Sequence, residues 1–231
     1  MTNDSAVLSD QSSSDWHTPA EVWREMKRGN DRFVEGTPLH PRQDVERRTA
    51  THHAQNPTAA LFGCSDSRLA AEIIFDKGLG DLFVVRNAGH VVSDTVIGSL
   101  EYAVAMLNVS LIVVLAHDEC GAVAAAVESQ QKDPTPLPPK IAGQIRPIIP
   151  AVQAVWLRDN PATPYVDPEH IDTFDVGRFH LRGCVAELLR ESELISEAVA
   201  NGTLGIVGAN YRLVEGRADA SVAIGQIDTD A

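Results

Sequence analysis

The chain has 231 residues, with 19 lysine and arginine side chains against 32 aspartate and glutamate, so its formal net charge near neutral pH is −13. Nucleic-acid phosphates and anionic membrane surfaces would both repel such a chain, which argues against either as a partner. Its three cysteines, an odd number in a chain of this size, argue against a disulfide framework and favour a reducing compartment or a metal site.

Residues 1–15 are polar, rich in serine and without periodicity, so we expect them to form a disordered tail. They lack the basic and apolar regions of a secretion signal. The longest apolar run elsewhere, Leu111–Ala116, is too short to cross a bilayer. The sequence therefore predicts a cytoplasmic protein in which residues 16–231 form a single domain.

A helix is expected to begin at about residue 19. Thr18 can cap its first turn, Pro19 suits the first helical position, and Glu21 can return a hydrogen bond to the cap. Val22, Met26 and Phe33 then recur at helical spacing. We interpret residues 18–35 as a helical arm whose apolar stripe is covered by a second copy of the chain.

From residue 58 onward, short and unalternating apolar runs are separated by helix-like stretches. Such runs are typical of parallel strands that are buried on both faces of a sheet. The sequence thus predicts an α/β fold with a mainly parallel central β-sheet flanked by helices and preceded by the N-terminal arm. The expected strands lie at 58–62, 82–85, 110–116 and 204–208, the helices at 68–75, 95–107, 121–129, 141–157 and 181–200, and two proline-rich surface loops at 133–140 and 160–170.

Three residues of metal-binding types follow two of the predicted strands. Cys64 lies just beyond the first strand, and His117 and Cys120 follow the third. Ligands of open α/β sheets bind outside the carboxyl ends of the strands, so we expect these side chains to converge. Two thiolates and one imidazole form a set typical of zinc sites that keep one position open. The alternative interpretation is that both cysteines are small buried apolar residues.

Asp66 and Arg68 follow Cys64 closely. An ionised carboxylate accepts hydrogen bonds and can orient a nucleophile by its proton, while the arginine braces the carboxylate. Without the neighbouring cysteine, a solvated ion pair in a helical first turn would be the simpler interpretation.

At this point the residues resemble those of a known family. The segments CSDSR at 64–68 and HDECGA at 117–122 are similar to the β-class carbonic anhydrases. Further likeness lies in RNAG at 86–89, EYAV at 101–104 and GANY at 208–211. The resemblance covers about residues 18–217.

The resemblance implies a zinc ion held by Cys64, His117 and Cys120, with Asp66 and Arg68 as the catalytic pair. It implies reversible hydration of CO₂ to bicarbonate and a proton through attack of zinc-bound hydroxide. It also implies a homodimer or tetramer in which neighbouring subunits complete the substrate pocket. The substrate-binding positions that it suggests are Gln55, Phe83, Ala88, Tyr102 and Gly121.

Two other functions compete with this interpretation. The same nucleophile on the same scaffold could hydrolyse a CO₂ analogue, carbonyl sulfide or carbon disulfide. A non-catalytic zinc-binding or bicarbonate-binding protein would be expected to have lost a ligand or a member of the catalytic pair. All five of those residues are present.

Histidines outside these segments have simpler explanations. His180 and Cys184 are one helical turn apart and could suggest a second metal, but Cys184 lies on an apolar stripe with Leu181 and Leu188, which favours a core face. His90 is the strongest candidate for a proton shuttle to solvent, although surface or capping histidines are more common.

Overall fold

The computed structural model describes residues 17–227. The tail expected at 1–15 lies outside this range. The first helix, α1 (Pro19–Val34), begins as expected: the Thr18 hydroxyl accepts from the Glu21 backbone N–H at 3.3 Å, and the Glu21 carboxylate accepts from the Thr18 N–H at 2.9 Å. This reciprocal pair satisfies two backbone donors that a helix start leaves unpaired.

The centre of the fold is a five-stranded sheet with the order β2-β1-β3-β4-β5. Strands β1 to β4 are parallel and buried or half-buried, which confirms the prediction made from the apolar runs. The last strand runs antiparallel to β4 at the edge of the sheet. The bounds are β1 (Ala59–Cys64), β2 (Leu82–Asn87), β3 (Leu111–His117), β4 (Gly205–Tyr211) and β5 (Ala218–Ile224).

Helices connect the strands and cover both faces of the sheet. After α1 they are α2 (Val45–Thr51), α3 (Ala71–Ile74), α4 (Asp94–Leu107), α5 (Gly121–Glu128), α6 (Pro139–Ile145), α7 (Ile149–Asp159), α8 (Thr173–Glu191) and α9 (Glu193–Ala200).

Two helices that were predicted to be continuous are each interrupted in the structure. The stretch at 141–157 is divided by a 3₁₀ turn at Arg146–Ile148, because Pro147 and Pro150 lack the N–H that a continuous helix needs. The stretch at 181–200 begins earlier, at Thr173, and is interrupted at Ser192. The Ser192 backbone is extended there, and its hydroxyl accepts from the Ile195 N–H and caps α9.

The remaining differences are short or partly exposed elements. The helix expected at 68–75 is reduced to the four residues of α3. Two elements were not predicted: α2, which buries none of its residues, and β5, whose side chains are mostly half-buried. The loop expected at 133–140 ends two residues early, because Pro139 opens α6.

Two apolar clusters lie on the two faces of the sheet. The first includes Leu61, Val113 and Cys64 with side chains from α1, α5 and α7, and the second includes Phe62 and Val114 with side chains from α4, α8 and α9. Successive strand residues point to opposite faces, which is why neighbours in sequence belong to different clusters. No helix between residues 17 and 227 is both long enough and apolar enough to cross a membrane.

The first helix packs on its own chain. Val22, Trp23 and Met26 are fully buried in the first cluster, so these side chains need no cover from a second copy. The helix predicted at 18–35 is therefore confirmed. The expectation that a second copy of the chain covers its apolar stripe was wrong for Val22 and Met26. Phe33 is only partly buried.

A substitution at Gly29 tests this packing. A Cβ at Gly29 would lie 1.9 Å from the backbone oxygen of Phe75 beside α3, so Gly29→Ala must push α1 away from the core. We expect the free energy of unfolding to fall by about 1–3 kcal/mol in denaturant titration. The matched control is Gly183→Ala on α8, where a Cβ meets no described atom within 4 Å, and which should be neutral or slightly stabilising. Equal effects of the two substitutions would contradict the packing of α1.

Candidate metal centre

The ends of two adjacent parallel strands create the site. Strand β1 ends at Cys64 and β3 ends at His117, and the two strands pair in register from Ala59 with Leu111 to Gly63 with Leu115. Their carboxyl ends therefore reach the same edge of the sheet. Cys120 follows three residues after His117, at the N-cap position of α5.

The three side chains meet as the sequence predicted. The sulfur atoms of Cys64 and Cys120 and a ring nitrogen of His117 all lie within 4.8 Å of one another, and all three residues are buried. This distance suits ligands of one ion, given metal bonds of about 2.3 Å to sulfur and 2.0 Å to nitrogen. The alternative interpretation, in which both cysteines are only small buried apolar residues, does not explain why an imidazole faces both thiols.

The hydrogen bonds of His117 make one nitrogen available. Its Nδ1 lies 2.7 Å from the carbonyl oxygen of Asp118, so this nitrogen carries the proton and donates. Its Nε2 is buried and has no hydrogen-bond partner in the described structure. Metal-binding histidines are usually fixed in this way, with one N–H on a carbonyl and the other nitrogen on the ion. The residues present thus fit a metal ion.

The two thiols influence each other strongly. The hydrogen bond from Cys120 lowers the pKa of Cys64, and the same contact, with burial and the charge on Cys64, raises the pKa of Cys120. Burial alone would lower the pKa of His117, but the neighbouring Cys64 and its charge outweigh burial and raise it. Without a metal the cluster therefore favours the thiolate, the form that binds a metal, at Cys64, while Cys120 keeps its proton.

Asp66 and Arg68 form a two-point ion pair beside the cluster. The Arg68 Nε donates to Asp66 Oδ1 at 2.9 Å and its Nη2 donates to Oδ2 at 2.8 Å. These bonds hold the pKa of the Asp66 carboxyl well below its usual range, against the opposing effect of burial. Asp66 Oδ2 lies 4.0 Å from His117 Nε2, so the carboxylate borders the space between the three ligands without filling it.

Two residues behind the cluster make hydrogen bonds that were not predicted from the sequence. Arg86 on β2 donates from Nε to the Cys64 carbonyl at 2.8 Å and from Nη2 to the Asp66 carbonyl. The backbone N–H of Gly89 donates to Cys64 Sγ at 3.3 Å. Gly89 has φ +80°, and a Cβ there would lie 2.9 Å from Ala122 and Ile148 side-chain atoms, so only glycine fits this approach. The segment RNAG was noted for family likeness, but no local pattern reveals these long-range contacts.

The structure places the five expected substrate positions in several parts of the fold. Gln55 is exposed in the loop before β1, and among residues 17–227 it makes no hydrogen bond to the cluster. The exposed Ala88 accepts from Gln144 through its carbonyl oxygen, and Gly121 is exposed at the start of α5. Phe83 and Tyr102 lie together, with ring centroids 6.2 Å apart, but Phe83 packs on the second cluster, opposite the face that holds both cysteines.

Fold and site together define an α/β protein with a metal-capable cluster of two cysteines and one histidine at the carboxyl edge of a parallel sheet. The chain is similar to known proteins both in sequence and in structure. The family model described as carbonic anhydrase matches residues 59–218. A carbonic anhydrase of Mycolicibacterium smegmatis is 45% identical over 209 residues, covering 90% of this chain and 96% of that protein. Carbonic anhydrase 2 of Mycobacterium tuberculosis is 46% identical over 212 residues, with the same coverage.

A solved structure supports the fold. One of the tetrameric β-carbonic anhydrases from the filamentous ascomycete Sordaria macrospora superposes with a TM-score of 0.62 at 23% identity, covering 78% of this chain and 92% of that one. The chain belongs to the β-class carbonic anhydrase family. The resemblance in the sequence, and with it the prediction that the chain is a carbonic anhydrase enzyme, is thereby confirmed.

The Arg86 contacts lead to a prediction. Arg86→Ala removes the donors that hold the turn between Cys64 and Asp66, so we expect metal affinity to fall about 10-fold to 100-fold, the usual effect of losing such a supporting group. The measurement is competition with a chelator of known affinity. Arg86→Lys should retain one of the contacts and part of the metal affinity. Arg24→Ala, on the exposed face of α1, is the control, because it also removes one positive charge but should leave the metal affinity unchanged. An Arg86→Ala protein with unchanged affinity would contradict this role.

Proposed function

We propose that this carbonic anhydrase is a zinc enzyme that converts CO₂ and water reversibly to bicarbonate and a proton. The observation that carries the proposal is the unpartnered, buried Nε2 of His117 facing two thiols, with the Asp66 carboxylate directly beside it. This is a Cys₂His donor set with room for one further ligand, which is typical of catalytic zinc sites.

Zinc, when bound by Cys64, His117 and Cys120, supplies a Lewis acid that makes water a competent nucleophile near neutral pH. The donor set favours zinc over harder ions, because magnesium and calcium prefer oxygen ligands. Three protein ligands, rather than four, leave a position for the reacting water.

Asp66 is suited to orient that water. Because Arg68 keeps its carboxylate ionised, Asp66 can only accept hydrogen bonds, and the proton that it accepts directs an oxygen lone pair toward the CO₂ carbon. Arg68 in turn holds both carboxylate oxygens and donates from Nη2 to the Glu119 carbonyl at 3.2 Å, which connects the pair to the loop before Cys120. Asp66 thus acts on the nucleophile, and Arg68 acts through Asp66.

Gln55, Phe83, Ala88, Tyr102 and Gly121 remain our proposed substrate contacts. The separation of Phe83 and Tyr102 from the cysteines within one chain favours their acting in the site of a neighbouring subunit. Since CO₂ is apolar, half-exposed aromatic rings are suitable walls for its approach. The three free cysteines also agree with our proposal of a cytoplasmic location.

The test is stopped-flow CO₂ hydration with zinc quantified in the same sample. We expect about one zinc per chain, and Cys120→Ala should lose zinc and activity together because it removes a charged ligand. Asp66→Asn should keep zinc and lose activity about 100-fold or more, since the amide cannot replace an acceptor-only carboxylate. Val127→Ala, which removes buried volume from α5 but no ligand, is the matched control for Cys120→Ala and should retain zinc.

The other outcomes separate the competing functions. Zinc-loaded protein that leaves CO₂ unchanged but hydrolyses carbonyl sulfide or carbon disulfide would identify the analogue hydrolase. Zinc-loaded protein that acts on none of these substrates would identify a binding protein. Full zinc content in Cys120→Ala would overturn the ligand set itself.

We also propose that the chain assembles with copies of itself, as a homodimer or tetramer. On α4, Tyr102 is 49% exposed and Met106 is 66% exposed, next to the edge strand β2 and its partly exposed Phe83. Proteins usually cover a surface that combines an unpaired edge strand with exposed apolar side chains. We call Phe83, Tyr102 and Met106 the α4 patch.

Light scattering tests the assembly. We expect a mass at least twice the 24.9 kDa of one chain, and Met106→Lys should weaken association more than about 10-fold because it places a charge in the α4 patch. Val214→Lys is the control, since Val214 is 93% exposed outside this patch, and should leave the mass unchanged. A fully active sample with the mass of a single chain would contradict the proposal.

A further inference from the structure

A second group of metal-binding side chains lies in the core, away from the first. His90, in the loop after β2, meets His180 and Cys184 of α8, and one donor atom from each lies within 4.8 Å of the others. All three residues are buried, and Cys184 belongs to the second apolar cluster, as its stripe predicted. The pair His180 and Cys184 was visible in the sequence, but the third member was not.

His90 has no hydrogen-bond partner among the described residues, although it is only 1% exposed. Both of its ring nitrogens are unpaired, and its ring centroid lies 4.6 Å from that of His180. Its backbone adopts φ +41°, an uncommon conformation for a residue with a side chain, which turns the ring into the core. The expectation of a surface histidine or a solvent-facing proton shuttle was therefore wrong. A buried and unpaired polar group is rare and points to a missing partner.

His180 is fixed in the way that metal ligands usually are. Its Nε2 donates to the Gly89 carbonyl at 2.9 Å, so its Nδ1 carries the lone pair. Cys184 Sγ lies 3.8 Å from this Nδ1 and 3.6 Å from Nε2, and the Cys184 thiol donates to the His90 carbonyl at 3.3 Å. The separation of 3.8 Å is less than the sum of metal bonds of about 2.0 Å to nitrogen and 2.3 Å to sulfur, so one ion that replaces the thiol proton can reach both atoms. His117 in the first site likewise has one nitrogen on a carbonyl.

The charges of the cluster restrict which ion fits. Burial lowers the pKa of His90 and of His180, so both rings are neutral and can act as ligands. Burial and, to a smaller extent, the charge of Glu187 raise the pKa of Cys184 to about 12, so the thiol is neutral until a metal displaces its proton. A divalent ion on one thiolate would leave a net positive charge in the core, whereas a monovalent ion would leave none. Uncompensated charge in such surroundings is strongly disfavoured.

We propose that His90, His180 and Cys184 form a second metal site for a soft monovalent cation, copper(I) by its ligand preference. A thiolate with two imidazoles and no oxygen ligand is a soft donor set. In the binding step the Cys184 S–H bond breaks, an S–Cu bond forms, and the proton leaves to solvent, without any change in oxidation state. The product is neutral overall, as the buried position requires.

The two sites share one residue but no ligand. The Gly89 N–H donates to Cys64, and the Gly89 carbonyl accepts from His180. Binding of copper(I) through His180 Nδ1 requires neither hydrogen bond to break. Binding of copper(I) at the second site should therefore leave zinc bound at the first site. If copper(I) instead bound to Cys64 and Cys120, it would displace the zinc, so the zinc content distinguishes the two cases.

The experiment equilibrates zinc-loaded protein without oxygen in a copper(I) buffer set by a chromophoric chelator, and then quantifies both metals after gel filtration. We expect about one copper per chain with zinc retained. X-ray absorption at the copper edge should show one sulfur and two nitrogen neighbours. Cys184→Ser keeps the size of the side chain but lacks the soft ligand, and should lose at least about 100-fold in copper affinity while its zinc content stays unchanged.

Val185→Ala is the matched control, because Val185 is buried beside Cys184 in the same cluster but offers no ligand. It should bind copper like the unsubstituted chain, which distinguishes loss of a ligand from loosening of the core. Four outcomes would each overturn the proposal. They are equal copper affinity in Cys184→Ser, release of one zinc for each copper bound, two sulfur neighbours at the copper edge, and no binding of copper at all.

Discussion

The parallel pairing of β1 with β3 is the constraint on which the site depends. Register along Ala59 to Gly63 and Leu111 to Leu115 brings Cys64 and His117 to the same edge of the sheet, although 53 positions separate them in the chain. The pairing is stable because both strands are fully buried between two apolar clusters. A shift by one residue would turn every side chain to the opposite face, burying the wrong set. Core packing and ligand geometry are thus fixed by the same register.

A second layer of backbone contacts holds the ligands in place. The Asp118 carbonyl sets which nitrogen of His117 is free, and the Gly89 N–H donates to Cys64. Arg86 reaches across from the neighbouring strand to the carbonyls of Cys64 and Asp66. These partners come from strand β2, from the loop that follows it and from the loop that follows β3, so the site is rigid only when this edge of the sheet is assembled. Such support determines how well a metal site keeps its geometry.

The sequence predicted those parts of the molecule in which local pattern and tertiary structure agree. Buried apolar runs predicted the four parallel strands, and strand ends predicted the meeting of Cys64, His117 and Cys120. The breaks at Pro147 and Ser192 were missed because the apolar stripe continues across them on both sides. Strand β5 was missed because the expected strands were unalternating apolar runs, whereas this half-buried edge strand alternates apolar and polar residues from Ala218 to Val222. His90 was missed as a core residue because a left-handed turn, not a periodic pattern, directs it inward.

The two clusters of thiol and imidazole differ mainly in their access to water, and this difference separates their chemistry. Beside the first, Asp66 and Arg68 keep side chains that are 17% and 50% exposed, so a charged group and solvent border the ligands. Water can enter, and excess charge on an ion can be balanced by a carboxylate. Around the second, the packed side chains of α8 and the sheet are mostly apolar and the three donor residues are buried, while the charge that acts on Cys184 is that of Glu187 on the same helix. An ion in the second cluster would be shielded from water by these side chains, so it would stabilise the fold rather than activate water. Within one fold, therefore, the polar surroundings of a ligand set, more than the ligands themselves, decide whether a metal site is reactive.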